Sequence, residues 1–526
     1  ARGAIVLDDL HRVGESESGE VHALLDALIE RLPAGWTLVL STRVLPPLAL
    51  ARWRAAGELL GRNPAERSPE RAPMLSDQTR RWRDLDARHH LHPFTTHHEL
   101  AAKGARIITR AEGCHVWDSE GHRLLDGMSG LWCTQIGHGR ERLARVAAEQ
   151  MRTLDYYNAF FQCSTPPAIE LAAKLASILP AGMDRIHFMG SGSEANDTVI
   201  KSVWYYWNLM GRPQKKQLIS RTLGYHGVGL GSASLTGMRF MHEPFDLPLP
   251  RCHHIGNPYG WVEGRGLDPD EFGLIAAGWL EAKIRELGPE NVAAFVAEPI
   301  QGAGGVIIPP ATYWPEVQRI CRAYDVLLVA DEVICGFGRT GSWWGHETFG
   351  FTPDIVTMAK GLSSGYVPIA AVAFGARVGE AIFQGEKEYA HGVTYAGHPV
   401  CAAVALENLR IMEEEGLATR AAGPIGAAFQ DGLRSLADHP LVGEVRSTGL
   451  IGCIELCRDP ATGELFEPAG KVGLLCRDFC VENGLVMRAI RDGMVLAPPL
   501  IVSEAEIAEI VAKARRSLDQ TLAALA

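Results

Sequence analysis

No stretch of the 526 residues comes near the roughly 18 consecutive apolar residues that a membrane-crossing helix requires. Cysteine pairing is missing as well. The eleven cysteines include no CxxC, and Cys476 and Cys480 stand four apart, so neither a zinc site nor a disulfide framework is indicated. Reduced thiols in a cytoplasmic protein are the simple expectation. Charge of one sign is nowhere blocked: the formal charge of −11 is spread along the chain, which argues against a nucleic-acid surface. No internal repeat of about 20–50 residues is visible. The opening run Ala1 to Leu7 is too short for a signal sequence, and the missing initiator Met points to a processed or truncated chain. What is present, 47% hydrophobic and 21% charged residues, is a globular composition. The length exceeds one ordinary core, so about two or three domains are expected.

Residues 1–62 read as a unit of their own. Ala4-Ile5-Val6-Leu7 is a short strand ending in Asp8-Asp9, Val21 to Leu32 has helical spacing, and Trp36 to Ser41 reads as a second strand. This piece resembles the middle of the ATPase module of LuxR/MalT-type regulators, with Leu7-Asp8-Asp9-Leu10-His11 as the acidic strand end and Leu40-Ser41-Thr42-Arg43 as the sensor strand. The GxxxxGK[ST] loop that cradles a triphosphate is absent, so a non-functional fragment is expected. Residues 63–88, with Pro64, Pro69 and Pro73 among Arg and Glu, read as a polar linker. From His89 the text changes. Arg106-Ile107-Ile108 and His115 to Asp118 alternate around Glu112-Gly113, as in a hairpin. Helices and apolar strands then alternate to about residue 375, the signature of a parallel sheet wrapped by helices. The tail carries amphipathic helices at Ala402–Glu414 and Glu504–Leu525, with short strands around Leu450–Leu456 and Gly493–Leu496.

Lys360 lies in the small, Gly/Ser-rich run Thr357 to Gly365, after the apolar run Val326 to Ala330 that ends in Asp331-Glu332-Val333. A buried strand delivering a carboxylate, followed by a lysine in a tight turn, suits pyridoxal phosphate. The lysine holds the aldehyde as a Schiff base, and the aspartate keeps the pyridine nitrogen protonated. Three further motifs fall at strand ends, where ligands of open parallel sheets bind. Ile186 to Met189 runs into Gly190-Ser191-Gly192-Ser193-Glu194-Ala195-Asn196-Asp197 and a helix, a cup for a phosphate or merely a helix N-cap. Thr222 to Gly227 holds Tyr225 and His226 between glycines, an aromatic for a flat ring or an ordinary loop tyrosine. Val292 to Ala297 ends in Glu298, with Gln301 and Ala303 just beyond. Val333, two residues past Asp331, shares its face if the strand continues.

In this order, ahead of Lys360, the motifs resemble the class III, or omega, aminotransferases of fold-type I pyridoxal-phosphate enzymes, from about residue 89 to the C-terminus. The resemblance implies an α/β fold. A large domain over 145–395 would carry a mostly parallel, seven-stranded-type sheet. A smaller α+β domain would be assembled from 89–144 and 396–526. It also implies roles. Lys360 binds the cofactor and moves the substrate proton; Asp331 pairs with the ring nitrogen; Tyr225 and Val333 sandwich the ring. Gly192 and Ser193 hold the phosphate, His226 and Glu298 adjoin the cofactor, and Thr394 reaches the phosphate of a partner subunit, so a homodimer or a pair of dimers is expected.

Within the class, His92-Pro93-Phe94, Gly130 to Cys133, Tyr157 to Phe161 and Ile334 to Gly341 resemble the amine–pyruvate subgroup, which includes putrescine–pyruvate aminotransferases. The resemblance places Phe94, Trp132, Phe160, Tyr225 and Ala303 in the substrate pocket, where aromatic walls suit an uncharged or methylene-rich amine. Arg488 matches a mobile arginine that pairs with the carboxylate of pyruvate and swings aside for an amine. Thr134 to His138 and Ala396 depart from the pattern, which leaves substrate preference open. The histidines His89, His90, His92, His97 and His98 have only Glu99 as a carboxylate at ligand spacing, and no metal is expected there. Other readings are class III enzymes that use 2-oxoglutarate (4-aminobutyrate or ornithine type), a diaminopelargonate-type enzyme, an aminomutase, or a non-enzymatic ligand-sensing regulator.

Overall fold

The computed structural model describes residues 3–7, 36–40 and 75–526. The chain divides into two units, Ala1–Ser76 and Asp77–Ala526. In the first, β1 (Gly3–Leu7) and β2 (Trp36–Leu40) pair in parallel, with Gly3 opposite Trp36. The expected helix at 21–32 and the motif residues Asp8, Asp9 and Ser41 to Arg43 lie outside the described residues. Where the stretch read as a linker ends, residues Asp77–His89 form a helix that buries Thr79.

The second unit begins its sheets with β3 (Ile108–Glu112), β4 (His115–Asp118) and β5 (Arg123–Asp126). Gly113 turns the first hairpin at φ 57°, a left-handed conformation that favours glycine. The central strands are β6 (Arg185–Met189), β7 (Gln217–Arg221), β8 (Cys252–Ile255), β9 (Val292–Ala297), β10 (Leu327–Asp331), β11 (Ile355–Met358) and β12 (Ala370–Phe374). They form one seven-stranded sheet in the order β6-β12-β11-β10-β9-β7-β8. Only β12 runs antiparallel to its neighbours. This is the mostly parallel sheet expected from the alternating strands and helices.

The strands read as unbroken apolar runs because both faces are buried. Leu328, Ala330, Phe295 and Ala297 point to a core shared with helices Pro269–Leu287 and Tyr313–Ala323. Leu327, Val329, Ala294 and Val296 point the other way, to Val199, Val203 and Trp207 of helix Gly192–Leu209. Helix starts follow local chemistry. Asp268 accepts from the amides of Asp270 and Glu271 ahead of Pro269–Leu287, with proline in the first turn.

The remaining strands are β13 (Val442–Thr448), β14 (Ile451–Leu456), β15 (Leu485–Val486), β16 (Arg488–Ile490) and β17 (Gly493–Leu496). β15 pairs with β5, so the N- and C-terminal parts of the unit share one sheet, while β13-β14-β17-β16 form a second. The tail helices span Pro399–Glu414 and Glu504–Leu525, the latter opened by a Ser503/Glu506 capping box. Among the described residues, no helix is long and apolar enough to cross a membrane.

Candidate active site

Five chain segments leave the carboxyl ends of parallel strands and meet in one cavity. Gly192 and Ser193 follow β6, Tyr225, His226 and Gly227 follow β7, Glu298 follows β9, Asp331 ends β10 and Lys360 follows β11. Asn196, Val333, Ile334 and Ala359 complete the lining. The strand does not continue to Val333. It stops at Asp331, and the chain turns so that the Val333 amide donates to Asp331 Oδ1 at 3.2 Å. Asp331 and Val333 both line the cavity, by way of this turn and not of strand alternation.

Asp331 is 3% exposed and firmly held. Its Oδ2 accepts from Asn196 Nδ2 and His226 Nδ1, both at 2.8 Å. The Asn196 amide also donates to the His226 carbonyl at 2.7 Å, and the His226 amide donates to Thr236 Oγ1 at 2.8 Å. These bonds aim the carboxylate into the cavity with Oδ1 lightly used. The Glu298 carboxylate accepts from two backbone amides, Tyr225 at 3.0 Å and Gly302 at 3.1 Å, while its carbonyl accepts from the Arg221 guanidinium. Burial pushes its carboxyl up to about 7, against the pull of His226.

At the end of β6, Ser191 caps helix Gly192–Leu209 by accepting from the Glu194 amide. The amides of Gly192 and Ser193 stand in the first turn, where a helix has no internal acceptor for them. Ser193 Oγ accepts from the Val228 amide at 3.1 Å. A Cβ on Gly192 would lie 3.3 Å from Val333 Cγ2, so the glycine lets the cup and the Val333 side chain close on the same space.

Lys360 opens a single helical turn, Lys360–Leu362, at φ 42°. A non-glycine residue in the left-handed region is held there by its surroundings. Asn408, fully buried in helix Pro399–Glu414, supplies the hold: its Nδ2 donates to the carbonyls of Gly361 and Leu362 at 2.9 and 3.0 Å. Burial pushes the Lys360 amine down, while Cys133, Asp331 and Glu298 oppose that. The amine forms no hydrogen bond or ion pair with a described residue.

Trp132 and Ala303 are buried in an apolar cluster that includes Ile334, with Tyr225 packed against it. The Arg488 guanidinium lies over the Trp132 ring, 5.0 Å from its centroid, and has no ion pair among the described residues. Trp132, Ala303 and Arg488 are not among the residues that line the cavity, and the other predicted substrate-side residues also lie outside it in a single chain. Phe94 is 68% exposed, because the turn carrying it (φ 48°) points it outward. Phe160 packs on the loop of Thr394, where a Cβ on Gly392 would lie 3.2 Å from its ring. Thr394 is exposed, its carbonyl accepting from Tyr156 Oη at 2.8 Å. The segment is anchored to the cup helix through His391, whose ring bonds Thr198 Oγ1 and Lys201 Nζ, each at 2.8 Å.

The sequence reading missed Asn196 and Asn408. Asn196 lies within the quoted cup motif and one helical turn past Gly192, a spacing that signals a shared face. Asn408 carries no local signal.

These residues fit pyridoxal phosphate. An anchored carboxylate, a cavity lined by both Tyr225 and Val333, two amides at a helix start and a lysine without a partner among the described residues suit its nitrogen, ring, phosphate and aldehyde in turn.

The comparisons with known proteins agree. The family described as Aminotransferase class-III matches residues 99–518. The chain is 52% identical to putrescine–pyruvate aminotransferase of Pseudomonas aeruginosa, over 85% of this chain and 98% of that protein. It is 43% identical to diaminobutyrate–2-oxoglutarate transaminase of Halomonas elongata, over 80% of this chain and 91% of that one. A crystal structure of the omega transaminase from Pseudomonas jessenii in complex with PMP superposes with a TM-score of 0.82 at 45% identity, covering 84% of this chain and 98% of that one. Every residue lining the cavity lies inside the matched stretch, and the protein is a pyridoxal-phosphate-dependent member of the class III aminotransferases.

Proposed function

We propose that this enzyme moves an amino group from a primary amine, such as a putrescine-like diamine, an aryl or alkyl amine or a beta-alanine-like omega-amino acid, to pyruvate. The two half-reactions would alternate at one site, in a cytoplasmic homodimer or pair of dimers. The bound cofactor supplies an electron sink for the carbanion formed when the donor carbon loses its proton. Lys360 would hold the cofactor and would carry the proton of the donor carbon, its amine's hold on a proton being lowered by burial. Asp331, fixed by Asn196 and His226, keeps a positive ring nitrogen opposite it.

The observation that carries the substrate reading is Arg488. Its guanidinium lies over Trp132 with no ion pair among the described residues, and Trp132 shares an apolar cluster with Ala303, against which Tyr225 packs. One cation suits one carboxylate, and the aromatic wall suits an amine without any. A dicarboxylate acceptor asks for a second cation. Among the described residues three arginines are buried, and each already has partners: Arg339 the carbonyls of Leu450 and Pro498 and Ser129 Oγ, Arg446 Gly305, Glu444 and Glu455, and Arg221 the Glu298 carbonyl. The 52% identity to a putrescine–pyruvate enzyme supports the same choice.

A second copy of the chain would account for the exposed Phe94 and Thr394, which a single chain leaves outside its own cavity. Eleven unpaired cysteines suit a reducing compartment. The test is product analysis with putrescine as donor. Alanine from pyruvate at a much higher rate than glutamate from 2-oxoglutarate supports the proposal, and the reverse preference moves the enzyme to the 2-oxoglutarate group.

A further inference from the structure

The carboxylate missing from the histidine cluster in the sequence is supplied by the fold. Asp86 sits in the last turn of helix Asp77–His89, and its side chain, 15% exposed, faces two imidazoles. His90 Nδ1 lies 3.1 Å from Asp86 Oδ1, and His92 Nε2 lies 2.8 and 2.9 Å from Oδ1 and Oδ2. The two rings are 4.1 Å apart between centroids, tilted by 40°. One ligand atom from each of the three residues lies within 4.8 Å of the others.

Zinc bonds to nitrogen and oxygen run about 2.0–2.2 Å, which places neighbouring ligands of a tetrahedral ion roughly 3.3 Å apart. The observed separations of 2.8–3.1 Å need only a few tenths of an ångström of opening. The nitrogens that now face the carboxylate are the ones whose lone pairs would face a shared cation. The helix end adds its own field, since the last-turn carbonyls point toward this corner and favour positive charge. His97 lines the cavity that also touches Asp86 and His90, outside the group of three whose ligand atoms lie within 4.8 Å of one another. Arg83, in the same cavity, is turned away by its bond to the Ala105 carbonyl at 2.9 Å.

We propose that Asp86, His90 and His92 bind a divalent transition cation of the zinc class, with water completing its shell. Two imidazoles and one carboxylate favour zinc, nickel or cobalt over magnesium or calcium. The ion would pin the segment that leads from His90 to Phe94 onto the helix before it. The proposal stands apart from the aminotransferase reading, since none of the three residues lines the cofactor cavity.

The experiment is a calorimetric zinc titration of the cofactor-loaded, full-length protein, against His92→Gln and Asp86→Asn variants checked for native circular dichroism. The wild type is expected to bind one more zinc per chain than either variant, or to bind it at least roughly a hundredfold more tightly, the scale on which even outer partners of metal ligands act. Equal stoichiometry and affinity in all three proteins overturns the proposal. X-ray absorption at the zinc edge of the wild type with one equivalent bound needs no variant at all. A nitrogen/oxygen shell with imidazole scattering supports the site, whereas a sulfur-containing shell assigns the zinc to cysteines and overturns it.

Discussion

Replacing Arg488 by leucine separates the two half-reactions. The guanidinium is already in place over Trp132 and has no ion pair among the described residues, so binding a carboxylate breaks no existing salt bridge. Two charge-assisted hydrogen bonds at about 1.5–3 kcal/mol each give a gross gain of about 3–6 kcal/mol. Desolvating the ligand carboxylate offsets part of it. A net loss of about 3 kcal/mol in the variant corresponds to roughly a hundredfold in kcat/KM for pyruvate. The amine half-reaction has no carboxylate to lose and stays within about threefold. Leucine keeps apolar contact with Trp132, so only the cation–π contribution, about 0.5–2 kcal/mol, is withdrawn from stability. Rapid mixing of each substrate with the matching cofactor form reads the two rates independently. Equal losses for putrescine and pyruvate would refute the role assigned to Arg488.

The pH dependence is carried by Glu298. Burial pushes its carboxyl up to about 7 in the folded protein, from an ordinary 4.5. Folding therefore favours the protonated form. That stabilisation is complete below about pH 4.5 and is lost as pH rises through 7, about 3 kcal/mol in all. In cofactor-free protein, Glu298→Gln should accordingly lose less of its thermal midpoint than wild type between pH 5 and pH 8.5; parallel curves would contradict this. Asn196→Leu withdraws a 2.8 Å bond to a buried carboxylate, about 1.5–3 kcal/mol, and should lower kcat about tenfold or more with KM for the amine little changed. An unchanged kcat would remove Asn196 from the positioning of Asp331. Gly192→Ala brings a methyl to 3.3 Å from Val333 and should weaken cofactor binding about tenfold in equilibrium dialysis, with no comparable loss of thermal stability.

The strand-end chemistry was legible because each element of it is local. A buried strand followed by a polar residue, or by a glycine-rich turn, announces itself within about ten residues, and five such signals in order identified the sheet and its ligand edge. Asn408 was invisible for the opposite reason. It sits on the buried face of an amphipathic helix, and its role depends on a loop that only tertiary packing brings beside it. Asp86 was hidden by its neighbours, since an Arg-rich, proline-led stretch reads as linker although its end folds as a helix. Phe94, Phe160 and Thr394 lie where one chain leaves them outside its own cavity, so sequence similarity assigned them roles that the geometry of a single chain does not display.

Lys360 is the residue on which cofactor and substrate chemistry both depend, and the absorbance spectrum of the cofactor-loaded protein tests it directly. Wild-type protein with pyridoxal phosphate should show the visible band of the lysine-bound cofactor, lose it on adding putrescine and regain it on adding pyruvate. Lys360→Ala should lack that cycle and turn over no substrate even with cofactor bound. Substantial turnover by Lys360→Ala, or a wild-type protein that never develops the band, would contradict this role of Lys360.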